Sequence, residues 1–97
     1  MNVVIEQGIL RCPKCGSENL HHHAVTVCER NEDADTVIRS VVEGSATRMD
    51  VCANDASRNP SSRRHGLFIQ FSCEICGRQD LELTFAQHKG QTYVEWR

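Results

Sequence analysis

The sequence predicts a mostly β protein, an antiparallel β-meander whose two ends are tied together by cysteine pairs. Three observations carry that prediction. Segment after segment alternates apolar and polar residues with period two, the mark of half-buried antiparallel strands. No segment carries an apolar stripe of helical period over a useful length. The motif C-x-x-C-G occurs twice, as CPKCG from Cys12 and as CEICG from Cys73, with Cys73 lying 58 positions after Cys15.

The elements follow in order along the chain. NVVIEQGIL is read as a short first strand. HAVTVCE puts Val25 and Val27 on one face and Ala24, Thr26 and Cys28 on the other. RNEDAD turns the chain into TVIRSVVE, whose β-branched residues favour a strand. EGSA, with Gly44, reads as a tight hairpin turn into ATRMDVCA, where Met49 and Val51 share a face. ANDASRNPSSRRHG has no strand pattern and is rich in Asn, Asp, Ser and Pro, so it reads as a long loop, either mobile or functional. GLFIQFSC sets Leu67, Ile69 and Phe71 against Phe68, Gln70 and Ser72. LELTFA sets Leu81, Leu83 and Phe85 against Glu82 and Thr84. HKGQ, with Gly90, closes a last hairpin into TYVEW, where Val94 and Trp96 oppose Tyr93 and Glu95.

Two thiolates separated by two residues fit one face of a tetrahedral ion, and a second such pair completes its shell. Glycine after the second cysteine allows the positive φ that the tight turn needs. Soft thiolates select zinc over magnesium or calcium. CPKCG and CEICG resemble the two knuckles of a zinc ribbon, and the chain is similar to small zinc-ribbon proteins of bacteria and their phages. The resemblance implies one structural Zn²⁺ per chain, held by Cys12, Cys15, Cys73 and Cys76, with Gly16 and Gly77 as the knuckle glycines. It covers the knuckles and their flanking strands. The ribbon family commonly has a short spacer, and here the interval is filled by an inserted β-meander. A redox dithiol needs a βαβ context that is absent, and a catalytic zinc needs a position that four sulfurs do not leave open.

Other residues invite a site. Cys28 and Cys52 fall near strand ends and are expected to be small buried core residues rather than a second metal site. His21, His22 and His23 are consecutive, so in a strand they cannot all converge on one ion; His21 and His23 are expected to share a face. Arg58, Arg63, Arg64 and His65 make the Ala53–Gly66 loop locally basic. Arginine suits bidentate phosphate or carboxylate contacts, so this loop is expected to be mobile and to form part of a binding surface. Phe68, Tyr93 and Trp96 are the aromatics that could stack on bases, and each serves equally well to cover a thin sheet. No nucleophile–base constellation stands out, so no enzyme is expected.

Composition bounds the function. Ninety-seven residues with 39% hydrophobic content suit a single domain, residues 1–97. Six cysteines with no recognisable signal segment point to a cytoplasmic, metal-binding chain rather than a disulfide framework. No apolar run approaches a membrane span. A net charge of −2 excludes a globally basic nucleic-acid binder. The expected function is a small non-enzymatic module that acts on a protein partner, as adaptor or inhibitor. The alternative is nucleic-acid binding through the Arg58–His65 loop.

Overall fold

The computed structural model describes residues 1–97. It contains two antiparallel sheets and one 3₁₀ turn at Asn54–Ala56. The small sheet is a hairpin of β1 (Ile5–Glu6) and β2 (Ile9–Leu10). Its two-residue turn places Gln7 at φ 53 and Gly8 at φ 78, the pattern of a type I′ turn.

The large sheet has six strands: β3 (Leu20–Glu29), β4 (Thr36–Glu43), β5 (Ala46–Ala53), β6 (Gly66–Cys73), β7 (Leu81–His88) and β8 (Gln91–Trp96). Their spatial order is β5-β4-β3-β6-β7-β8, all antiparallel. It is thus two three-stranded meanders joined where β3 pairs with β6. The hairpins turn where the sequence places them. Glu43 faces Ala46 across Gly44, and His88 faces Gln91 across Lys89 and Gly90, both at positive φ.

This order has a consequence that alternation alone does not reveal. The chain leaves β5 at one edge and must re-enter at β6 in the centre. The connection therefore crosses one face of the sheet. That face, called here the loop face, carries buried Ala24, Thr26, Cys28, Val37, Phe68, Glu82 and Thr84. The opposite face carries Val25, Val27, Ile69, Phe71, Leu81, Leu83 and Trp96. At the β6–β8 end of that face, Leu81, Leu83 and Trp96 form a core cluster with Cys12 and Cys73, and Val3, Leu10, Leu20, Phe71 and Phe85 pack against it. The β1–β2 hairpin therefore covers that end, which is called here the ribbon face. The N-terminal strand end is held in place as Trp96 N donates to Met1 O at 3.2 Å.

The Ala53–Gly66 loop, expected to stand free, is packed on the sheet. Ser57 is fully buried and Ser61 nearly so. Ser61 Oγ donates to Gln87 O at 2.5 Å and accepts from the N–H groups of Arg63 and Arg64. Asn59 and Pro60 press on Gly66, where an added Cβ would meet Asn59 Oδ1 and, at 2.8 Å, Pro60 Cδ. A connection lying on a sheet has its backbone groups withdrawn from water, so its serines and asparagine satisfy them.

Candidate metal centre

Each knuckle is built by the same short backbone circuit. Cys12 N donates to Ser17 O at 2.8 Å, and Gly16 N donates to Cys12 O at 2.9 Å. In the second copy Cys73 N donates to Arg78 O at 2.8 Å, and Gly77 N donates to Cys73 O at 3.0 Å. Gly16 sits at φ 77 and Gly77 at φ 74, a conformation that other residues adopt only with strain. Leu20 pairs with Cys73 at the start of β3, and Glu74 N donates to Asn19 O at 3.1 Å, so the central strand pair holds the knuckles face to face.

The result is one cluster. The Sγ atoms of Cys12, Cys15, Cys73 and Cys76 all lie within 4.8 Å of one another. Across the knuckles, Cys12 Sγ is 3.8 Å from Cys76 Sγ, and Cys15 Sγ is 3.6 Å from Cys73 Sγ. A tetrahedral ion with zinc–sulfur bonds of about 2.3 Å separates its sulfurs by roughly 3.8 Å. The four thiols therefore already stand at nearly the edge lengths of such a shell. Cys12 and Cys73 are buried against Leu81, Leu83 and Trp96, whereas Cys15 and Cys76 face outward.

The electrostatics of the cluster point the same way. The backbone N–H of Cys76, the largest influence, and that of Ile75 pull the Cys73 thiol down to about 6, against the cost of desolvation. At Cys15 the Ser17 N–H also lowers the thiol, but desolvation and the neighbouring sulfurs outweigh it and push it up to about 11. Four thiols this close cannot all ionise without a cation, since each new charge is repelled by the last. A divalent soft ion removes that conflict, and knuckle N–H groups such as Lys14 N, 3.5 Å from Cys12 Sγ, partly offset the excess charge. Four protein sulfurs close the shell, which is the donor set of a structural rather than a catalytic site.

The other expected candidates lie elsewhere. Cys28 on β3 and Cys52 on β5 share the loop face but are separated by β4, where they oppose Arg39 and Val37. Burial, with a smaller contribution from Cys52, pushes the Cys28 thiol up. The three histidines do not converge. A β-bulge between His22 and Ala24 breaks the alternation on which His21 and His23 were expected to share a face. His22 instead lies opposite Phe71, edge-on at 6.5 Å, and His21 Nε2 lies 3.1 Å from Glu74.

The arginines of the loop are all engaged. Arg58 donates twice to the Glu82 carboxylate, at 2.6 and 2.7 Å. Arg97 Nε reaches the same carboxylate at 3.1 Å, and both guanidinium groups lie over Phe68, at 5.6 and 4.8 Å from its centroid. Arg63 binds Asp33 and Glu32, and Arg64 lies 3.6 Å from Glu32. The acidic turn and the basic loop, which the sequence places far apart, thus neutralise each other. Sequence reading missed Glu82 and Arg97: it set Glu82 with Thr84 on the face opposite Leu81, Leu83 and Phe85 and gave it no role. The one signal was an acid on a strand whose loop-face neighbours are Thr84, Gln70 and Phe68.

An all-β sheet whose ends meet at a four-cysteine cluster defines the class: a small protein organised around a candidate soft-metal site. Comparison with known protein families, with curated proteins and with solved structures gave no match. No helix is long and apolar enough to cross a membrane.

Proposed function

We propose that the chain is a non-enzymatic module whose zinc ion, held by Cys12, Cys15, Cys73 and Cys76, is a folding element, and that it works by protein–protein contact as an adaptor or inhibitor. The observation that supports the contact is the uncovered part of the ribbon face. There Val27, Ile38, Val42, Met49 and Val51 are exposed on neighbouring strands. Single exposed apolar residues are ordinary, but a contiguous patch of them marks a contact surface. The nucleic-acid alternative has less to stand on, because Arg58, Arg63 and Arg64 are occupied by carboxylates of the same chain. Six free thiols suit a reducing compartment, so the reading places the chain in the cytoplasm.

The test is affinity capture from the source cell with the zinc-loaded chain, run in parallel with nucleic acid digested and with Val51→Glu as bait. The reading expects a protein that survives digestion and is lost with the substitution. Capture that vanishes on digestion, or that ignores Val51→Glu, removes it.

A further inference from the structure

We infer that the uncovered ribbon face is where a second copy of this chain docks, making a two-fold dimer of stacked sheets; this rests on the reading that the same face is a protein contact surface. Three features of the face select this occupant.

The first is its area. The uncovered part spans β5, β4, β3 and β6, three of them eight residues long. At about 4.8 Å between strands and about 3.4 Å per residue, its plan area is on the order of 500 Å². Its side chains stand well into solvent, with Met49 71% and Val51 67% exposed. The accessible area therefore exceeds the plan area and suits the low end of specific interfaces, below the roughly 800 Å² per partner of the standard size.

The second is its charge. Ser40 and Thr47 are the polar residues in the middle of this face, the ionisable groups Glu29 and His65 stand together at one end of it, 3.7 Å apart, and His22 stands opposite Phe71 towards the other end. The loop face of the same strands carries Arg39, Glu43, Arg48 and Asp50. Between the Glu29–His65 pair at one end and His22 at the other, the middle of the ribbon face offers a charged partner nothing to pair with. A two-fold axis places an uncharged patch on itself with no like charges opposed and no buried charge left unpaired.

The third is its shape. The β1–β2 hairpin and the knuckles add a layer over β7, β8 and the Phe71–Cys73 end of β6 and leave the β5 side bare. The face is therefore a step. Stacked sheets sit about 10 Å apart, one layer deep. With the two-fold axis along the strands, the bare side of each copy covers the bare side of the other, and the open β5 edge of each lies against the hairpin layer of its partner. An axis across the strands would drive one hairpin layer into the other. The single contact thus shields both an apolar face and an unpaired strand edge, two features that otherwise promote unspecific aggregation.

The experiment is sedimentation equilibrium of the zinc-loaded full chain from about 1 to 100 µM, a range in which a contact of this size is expected to dissociate. The wild type is expected to show a monomer–dimer equilibrium. Val51→Glu and Met49→Glu each place a charge at a position that is exposed in the monomer, and each is expected to weaken the dimer at least tenfold with the circular dichroism of the fold retained. Glu95→Lys, on the loop face, is expected to leave it unchanged. A second readout needs no variant: peroxide oxidation of Met49, with Met1 as the internal reference, slows as concentration rises through the dissociation constant. A monomer throughout the range, a dimer indifferent to both glutamates, or a Met49 oxidation rate independent of concentration overturns the inference. If the chain is monomeric while Val51→Glu still abolishes partner capture, the dimer is wrong and the contact face is right.

Discussion

Cys73 and Cys28 are both buried thiols in the same sheet, yet they should answer substitution very differently. Cys73 is one of four clustered sulfurs, and an ion shared among them would couple metal affinity to folding. Cys28 meets no sulfur and fills space between β4 and β6. Cys73→Ser is therefore expected to lose the ion and at least about 3 kcal/mol, upward of about 12 °C in Tm for a domain of this size. Cys28→Ser buries a hydroxyl where a thiol stood, costs about 1 kcal/mol, and keeps its metal. Thermal unfolding with metal analysis of both variants checks this, and equal losses would mean that the two thiols do the same work. That these four cysteines cluster was legible in the sequence because a repeated C-x-x-C-G is a local pattern. The role of Glu82 was not, because its partners Arg58 and Arg97 lie outside its own strand, on either side of it in the sequence.

At the scale of elements, period-two alternation, with β-branched content for β4, located the six long strands, and turn residues located the hairpins at Gly44 and Gly90, since each signal depends only on residues close in sequence. Strand order is set by which strands meet across the chain, and alternation is silent on that. The fate of the Ala53–Gly66 loop follows from the order, because a connection from edge to centre has to lie on the sheet. Arg58 shows how firmly it lies there. It adopts φ 61, a conformation costing an L-residue roughly 1 kcal/mol, and the bidentate grip on Glu82 more than offsets it. Arg58→Ala loses the grip and keeps the strain, so it is expected to destabilise by about 2–3 kcal/mol. Arg58→Gly loses the grip and relieves the strain, and should be about 1 kcal/mol less harmful. Denaturant unfolding of the pair tests this order. A loss within about 0.5 kcal/mol for Arg58→Ala would show a free loop tip instead.

For the molecule as a whole, the knuckles sit at opposite ends of the chain and meet at one place, with Cys15 and Cys73 58 positions apart. A cross-link across so long an interval removes much of the freedom of the unfolded chain. The small core beside it, Cys12, Cys73, Leu81, Leu83 and Trp96, includes the only tryptophan, so the fluorescence of Trp96 should report on the ion. The central claim is that one ion is held by these four thiolates and by nothing else in the chain. Elemental analysis of protein purified without added metal, taken beside a thiol count on the same sample, tests it most directly. The account predicts about one equivalent of zinc per chain, with no thiols beyond Cys28 and Cys52 open to reaction while the ion is bound and all six reactive after unfolding with a chelator. No metal in a sample with all six thiols reduced, or a reproducible two equivalents, would contradict it.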